Sequence, residues 1–324
     1  MPAAINPDAV IECVPNFSEG TDARKVAQIV AAMRMEEVRL LDWSLDAAHN
    51  RSVVTIAGPP AAVVESAVRG AGRAAQLIDL TQQSGAHPRI GAADVVPLVP
   101  VSGISLAECA VLARQAGLEI WRRYGVPVYF YEAAAARPDR VNLEDVRRGQ
   151  FEGLRETAHK DAARRPDIGG PEVHSTAGAS AVGARRFLIA YNIYLEAEKQ
   201  QAGAELPAAA QADIAAARAI ARAIRASAGG MHGVKAIGVS VGGRAQVSMN
   251  ITDFRATPMR QIYAAVRELA RNHGAVATEG EIIGLIPQEA YEAEAEWVQA
   301  IPDFDPEAKV LERRLKHPLP WPEG

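Results

Sequence analysis

The chain has 324 residues, of which 48% are hydrophobic and 23% are charged, proportions typical of a globular protein and not of a disordered or fibrous one. This length corresponds to about two domains at the usual size of roughly 150 residues each. The formal net charge is −4, whereas binding to a nucleic-acid backbone requires an excess of basic residues. The composition therefore argues against a nucleic-acid partner.

The two cysteines, Cys13 and Cys109, form neither a CxxC pair nor a metal-ligand spacing, which indicates reduced thiols and a cytoplasmic location. No apolar stretch reaches the length of a membrane span. The sequence contains no GxxxxGK[ST], no HExxH and no GxGxxG after a predicted strand. We therefore expect a protein that uses neither a membrane, a bound metal nor a nucleotide cofactor.

The first half of the chain predicts the order β-α-β-β-α-β with a β-α-β extension. Its helices are indicated by apolar residues at helical spacing, as with Val64, Ala67, Val68 and Ala71 after a pair of prolines. The predicted strands are 10–14, 38–42, 51–57, 94–99 and 126–131, and the predicted helices are about 22–34, the segment after residue 60, and 105–124.

The second half repeats the same order. The predicted strands are 186–195, 234–241, 244–251 and 275–286, and the predicted helices are 207–227 and 257–272. Gly242 and Gly243 separate the two central strands as a tight hairpin would. This order is the ferredoxin-like pattern, so we predict an α+β fold of two tandem ferredoxin-like subdomains, 1–183 and 184–302. A Glu-rich helix at 288–298 is expected to present a solvated face, and 303–324 is expected to be a surface tail or capping helix.

Three polar segments are candidates for function. The segment 84–97 (SGAHPRIGAADVVP) carries His87 beside Arg89, and a histidine next to an arginine in a loop is a candidate general base. A surface histidine without a function is the alternative. A second cluster joins Asp46, His49, Asn50 and Arg51, and a third lies at 167–176 (DIGGPEVHST). Polar side chains in loops and at strand ends are where function normally lies.

One catalytic motif is matched by letters only. GVSVG at 238–242 fits G-x-S-x-G, but that motif needs a strand, a sharp turn and then a helix around its serine. Because a second strand is predicted after it, we expect Ser240 to be an ordinary strand residue. The run GASAVG at 178–183 is either a close approach to a ligand or a flexible connection, and the sequence leaves both open.

Seven segments in order resemble the formiminotransferase family, whose members transfer the formimidoyl group of N-formimidoyl-L-glutamate to N5 of tetrahydrofolate in histidine breakdown. The resemblance covers about residues 10–300. The segments are PNFSEG at 15–20, NRSV at 50–53, the HPR-x-GA-x-DVVP core within 85–97, GARRFLIAYNI at 183–193, VKAIG at 234–238, AQVSMN at 245–250 and EGEIIGLIP at 279–287.

The resemblance implies two ferredoxin-like subdomains that form a folate-binding groove, a homodimer, and tetrahydrofolate as co-substrate. The family's catalytic histidine matches His87, and its folate loop matches roughly 167–175. The loop supplies Gly169, Gly170, His174 and Ser175 as candidate folate contacts, and this chain departs from the animal form there, with Gly169-Gly170 and His174 in place of a Trp-containing stretch.

The chemistry agrees with this assignment. N5 of tetrahydrofolate must lose a proton and the departing glutamate nitrogen must gain one, and one imidazole can do both in sequence. Both substrates are dicarboxylates, so Arg51, Arg89 and Arg185 are candidate carboxylate ligands, and Asn50 is a candidate to orient the amidine. The alternatives are formyl transfer between glutamate and folate on the same fold, a folate-binding protein without catalysis, and a serine hydrolase that uses Ser240.

Overall fold

The structure, a computed structural model, describes residues 6, 8–47, 49–85, 87–197 and 206–323. The chain divides into two compact units: unit 1 comprises 1–186 and 318–324, and unit 2 comprises 187–317. Each unit is built on its own sheet, and helices and strands are mixed along the chain. The predicted α+β class is therefore confirmed.

In the sheet of unit 1, a strand interrupted into two short pieces lies between two longer strands. Its strands are β1 (Val10–Cys13), β2 (Asn16–Phe17), β3 (Arg39–Asp46), β4 (Arg51–Gly58), β5 (Ala93–Ser102), β6 (Val128–Glu132) and β7 (Ser180–Ala184). Both β1 and β2 pair antiparallel with β4 and with β5, while β3 pairs with the other edge of β4. The strands β7 and β6 extend the sheet beyond β5 in parallel pairing.

The α-helices described in unit 1 are α1 (Ala23–Ala32), α2 (Pro60–Leu77), α3 (Leu106–Tyr124), α4 (Leu143–Val146) and α5 (Gln150–Thr157). Side-chain caps begin α1 and α3. Asp22 accepts hydrogen bonds from the first turn of α1, and Ser105 forms a capping box with Glu108 on α3. Gly125 ends α3 in the left-handed conformation. The long helices bury their apolar faces in one core with the sheet.

The sheet of unit 2 is antiparallel with the order β11-β8-β10-β9. Its strands are β8 (Ile189–Ala197), β9 (Val234–Val241), β10 (Arg244–Ile251) and β11 (Ala275–Ile283), and its long helices are α6 (Leu206–Ile224) and α7 (Met259–Asn272). Ser240 pairs with Ala245 across the β9–β10 hairpin. Since a strand follows GVSVG, the strand-turn-helix geometry of a nucleophilic serine does not form at Ser240.

The Glu-rich segment at 288–298 presents the predicted solvated face, on which Glu289, Glu292 and Glu296 are exposed, but its other face is buried. The segment forms two short helices, α8 (Gln288–Ala293) and α9 (Ala295–Gln299), and both contribute to the core of unit 2. Tyr291 is 6% exposed and Val298 is fully buried. Because glutamates dominate the composition of this segment, the few apolar residues that share one face give no clear signal in the sequence. The helices α10 (Pro306–Lys309) and α11 (Leu311–Arg314) follow. Residues after 317 belong to unit 1, where Leu319 pairs with Leu40.

Two kinds of feature are absent from the described part of the chain. No helix there is both long and apolar enough to cross a bilayer. Across the same residues, no group of three or more His, Cys, Asp or Glu side chains is arranged to hold a metal ion.

Candidate active site

His87 lies in the loop that connects α2 to β5, and hydrogen bonds hold both ends of this loop in unit 1. The Leu80 N–H donates to the carbonyl of Thr176, and the Ala92 N–H donates to the carbonyl of Ala177, each at 2.9 Å. The loop is therefore fixed against the segment before β7, which includes the third polar cluster of the sequence.

Arg89 stabilises the same loop from within. Its guanidinium donates to the carbonyl of Gln83 at 2.7 Å and pairs with the Glu152 carboxylate at 2.9 Å. Its own carbonyl accepts the Phe151 N–H at 2.8 Å. Arg89 is 9% exposed, so these bonds are largely shielded from water. The side chain joins the loop to α5.

The environment of His87 keeps its imidazole neutral. Its Nδ1 lies 2.8 Å from the carbonyl oxygen of Pro88 and 3.1 Å from Nη1 of Arg51. Burial, and then the positive charges of Arg51 and Arg147, lower the pKa of His87 to about 3. The contact of Nδ1 with the Pro88 carbonyl requires the ring proton to be on Nδ1, and in that tautomer the Nε2 lone pair is the one that can accept a proton.

A buried carboxylate organises the charges beside His87. Asp94 is fully buried at the start of β5, and its Oδ1 accepts the Ile90 N–H at 2.8 Å. Its Oδ2 accepts from Arg51 at 2.9 Å and also from Arg147. Burial acts to raise the pKa of Asp94, but Arg147 and Arg51 outweigh it and hold that pKa below its usual value. We call Arg51, Asp94 and Arg147 the Asp94 cluster; it carries two positive charges and one negative charge.

Asn50 connects three segments around the site. It has a φ of +47° in the turn between β3 and β4. Its Oδ1 accepts the Gly20 N–H at 2.9 Å, while its Nδ2 donates to the Ser84 carbonyl at 3.0 Å and to Gln83. A Cβ at Gly20 would lie 2.4 Å from the Arg51 nitrogen, so only glycine permits this approach. The Asn50 amide thus holds the His87 loop beside the PNFSEG segment.

Glu19 adds a carboxylate to the hydrogen-bond network around Asn50. Its carboxylate, whose side chain is 1% exposed, accepts the Gln83 amide at 3.0 Å. Burial acts to raise the pKa of Glu19, but hydrogen bonds from the backbone of Asp22 and Thr21 outweigh it and lower the pKa to about 2. Glu19 is therefore a permanent anion that fixes the position of Gln83.

The structure brings the second polar cluster of the sequence next to His87. The Nδ1 of His49 lies 2.6 Å from Oδ2 of Asp46, and the His49 N–H donates to Oδ1 at 3.0 Å. The imidazole rings of His49 and His87 have centroids 6.2 Å apart and meet edge to face at 72°. Two histidines therefore share one site.

The segment predicted as a folate loop is well ordered by its own hydrogen bonds. Gly169 and Gly170 have φ values of +77° and +92°, and a Cβ at Gly169 would meet the Trp121 ring at 2.7 Å. Nδ1 of His174 accepts the Ala177 N–H at 3.0 Å, which leaves its ring proton on Nε2. Ser175 is exposed at the tip of this turn.

The predicted site residues thus separate into groups. His87 and Arg51 are in direct contact, and Asn50 and Arg89 hold the His87 loop. Thr176 and Ala177, which directly follow the 169–175 segment, bond to the ends of that loop, whereas Gly169 lies against Trp121. Arg185 instead donates to the carbonyl of Arg186, and its charge acts on Tyr131 and Cys13.

Four residues of the site are not among the candidates predicted from the sequence: Glu19, Gln83, Asp94 and Arg147. Arg147 follows α4 in the charged run DVRRGQ, which has the composition of a solvated surface, and no local signal separates it from Arg148. Glu19 and Asp94 lie within the PNFSEG and DVVP segments that carry the family resemblance.

Comparison with known proteins identifies the class of this chain. The model of the N-terminal subdomain of the formiminotransferase domain matches residues 10–185, and the model of the formiminotransferase domain matches residues 190–312. The two matches together are those of a transferase domain. The chain belongs to the formiminotransferase family.

Curated relatives match the chain over nearly its whole length. The glutamate formimidoyltransferase of Streptococcus pyogenes serotype M1 is 40% identical over 310 residues, which cover 94% of this chain and 98% of that protein. The glutamate formimidoyltransferase of Thermoplasma acidophilum is 39% identical over 313 residues, covering 95% and 98%. The formimidoyltransferase-cyclodeaminase of Rattus norvegicus is 36% identical over 290 residues, covering 87% of this chain and 51% of that protein.

Proposed function

We propose that this chain is a glutamate formimidoyltransferase, which transfers the formimidoyl group of N-formimidoyl-L-glutamate to N5 of tetrahydrofolate. Its two relatives of matching length carry that name. The observation that supports the proposal from within the molecule is His87: a neutral imidazole in a fixed loop, in contact with the Asp94 cluster.

The reaction needs a proton acceptor at the attacking nitrogen. N5 of tetrahydrofolate forms a bond to the amidine carbon and gives up its proton, and the bond from that carbon to the glutamate nitrogen then breaks as this nitrogen gains a proton. His87 accepts the N5 proton at Nε2. A positioned general base of this kind contributes about 10²- to 10⁴-fold to the rate.

The Asp94 cluster is suited to attract an anionic substrate. Its two guanidiniums have one carboxylate between them, so a positive charge remains beside His87. Guanidinium groups bind carboxylates with charge-assisted hydrogen bonds, and N-formimidoylglutamate carries two carboxylates. We therefore assign Arg51 and Arg147 to substrate binding, and Arg89 to the position of the loop.

The remaining assignments follow from the family. They are two ferredoxin-like subdomains with a folate-binding groove, folate contacts from Gly169, Gly170, His174 and Ser175, further substrate contacts from Asn50 and Arg185, a homodimer, and a cytoplasmic location. The order β11-β8-β10-β9 supports the ferredoxin-like assignment for unit 2. The hydrogen bonds between the His87 loop and residues 176–177 support the folate assignment.

The purified protein should consume N-formimidoylglutamate only when tetrahydrofolate is present, and should release glutamate in equal amount. N-formylglutamate, run in parallel, tests the formyl alternative and should react far more slowly. Saturable folate binding without transfer from either donor would contradict the proposal and favour a non-catalytic folate-binding protein.

A further inference from the structure

The imidazole of His49 lies next to that of His87. His49 and Asn50 lie in the turn between β3 and β4, whose ends are paired through Asp46 and Arg51. The turn places the His49 ring centroid 6.2 Å from that of His87. A Cβ at Gly85 would lie 2.6 Å from the His49 carbonyl oxygen, so the glycine allows the His87 loop to lie directly against this turn.

A carboxylate positions the His49 ring, an arrangement that is common for histidines that exchange protons. The carboxylate of Asp46 contacts Nδ1 at 2.6 Å, which fixes the ring and leaves Nε2 to exchange a proton. The side chain of His49 is 24% exposed and that of Asp46 is 49% exposed, so the pair can exchange protons with water. The carboxylate also offsets the positive charge that His49 carries when it holds two protons.

The reaction of the proposed function also requires that a proton be delivered to the departing glutamate nitrogen. The N5 nitrogen that loses a proton and the glutamate nitrogen that gains one are both bonded to the same carbon in the tetrahedral intermediate. The Nδ1 of His87 is fixed by Pro88 and Arg51, which restricts the swing that one ring would need to serve both nitrogens. Two rings side by side remove that requirement.

We propose that His49, positioned by Asp46, is the general acid that protonates the departing glutamate nitrogen, while His87 is the base that receives the proton of N5. This inference depends on the proposed function. The carbon–nitrogen bond to glutamate breaks as its electron pair takes the proton of His49. The turnover leaves His87 protonated and His49 neutral, and transfer of one proton from His87 to His49, directly or through water, restores both.

The charges around the two rings differ as expected if His87 is the base and His49 is the acid. Arg51, Arg147 and Asp94 act on His87 and keep it neutral, with burial as the largest cause of its lowered pKa. His49 is in contact with the Asp46 carboxylate. The electropositive side of the site therefore carries the base, and the carboxylate side carries the acid.

The test is chemical rescue of an alanine variant. His49→Ala should lower kcat by about 10²- to 10⁴-fold while KM for tetrahydrofolate stays within a few fold. Added imidazole should restore turnover in proportion to imidazolium, so that rescue weakens as the pH rises. Rescue of His87→Ala should show the opposite trend and follow neutral imidazole.

Two further variants complete the test. His159→Ala, which removes an exposed histidine of the same unit, is the matched control and should keep the wild-type kcat. Asp46→Asn should lower kcat less than His49→Ala does. A kcat within a few fold of wild type in His49→Ala would overturn the proposal, as would a loss that imidazole does not rescue at any pH. Inactivity of the wild-type protein would instead contradict the proposed function.

Discussion

Replacement of Asp94 by asparagine isolates the charge at the centre of the site. Asp94 is fully buried, and its two oxygens accept hydrogen bonds from the Ile90 N–H, Arg51 and Arg147. The amide keeps the size and one acceptor oxygen but leaves two mostly buried guanidiniums without a counter-charge. Loss of one partner from a buried ion pair costs about 3–5 kcal/mol, and the retained oxygen places the expected loss near 3 kcal/mol.

Urea unfolding at pH 7 measures this loss. Three of the four tryptophans, Trp43, Trp121 and Trp321, lie in unit 1, and Trp297 lies in unit 2. A Trp297→Phe background therefore makes tryptophan fluorescence report unit 1. A lower midpoint with an unchanged slope would identify a change in stability.

The control is Asp139→Asn, which neutralises an exposed ion pair with Arg137 in the same unit. Exposed pairs of this kind contribute little to stability because water and salt screen them. If Asp94→Asn costs no more than Asp139→Asn, the Asp94 carboxylate does not compensate the two arginines, and the electrostatic account of the site is refuted.

Three other variants test separate parts of the account. Arg147→Gln removes a positive charge that lowers the pKa of His87, so the acid limb of the pH profile of kcat/KM should move to higher pH; an unmoved limb would count against the charge effect. Arg89→Met should lower kcat by up to about 10²-fold through misplacement of the His87 loop, with faster amide exchange over 78–92; a rise in donor KM at unchanged kcat would instead make Arg89 a substrate ligand. Glu19 has a folded pKa of about 2 against an ordinary 4.5, so its contribution is present above about pH 4.5 and is lost as the pH falls towards 2. Glu19→Gln should therefore cost on the order of 3 kcal/mol at pH 7, with a difference from wild type that vanishes in acid; a pH-independent difference would disprove the assignment.

The strands and long helices could be predicted because each has its own local signal. Apolar residues at helical spacing mark α2, and the two glycines at 242–243 mark the β9–β10 hairpin. The Glu-rich segment 288–298 could not be predicted as part of the core. Its burial depends on how α8 and α9 pack within unit 2, and charged residues dominate its composition.

The candidate site was predictable where the chemistry lies in one segment. His87 stands in a motif that resembles the family's catalytic loop, and Arg51 lies at the start of a predicted strand. Arg147 lies 60 positions after His87 and joins the site only through its contact with Asp94. The approach of His49 to His87 likewise depends on the fold of the β3–β4 turn against a loop from another part of the chain.

Under the proposed function, His87 transfers a proton during formimidoyl transfer to tetrahydrofolate. The most direct measurement is the single-turnover rate of transfer from N-formimidoylglutamate, at saturating tetrahydrofolate, in wild type and in His87→Asn. We expect the variant to bind tetrahydrofolate as wild type does and to transfer the group about 10²- to 10⁴-fold more slowly. Transfer by His87→Asn at the wild-type rate would contradict this role of His87.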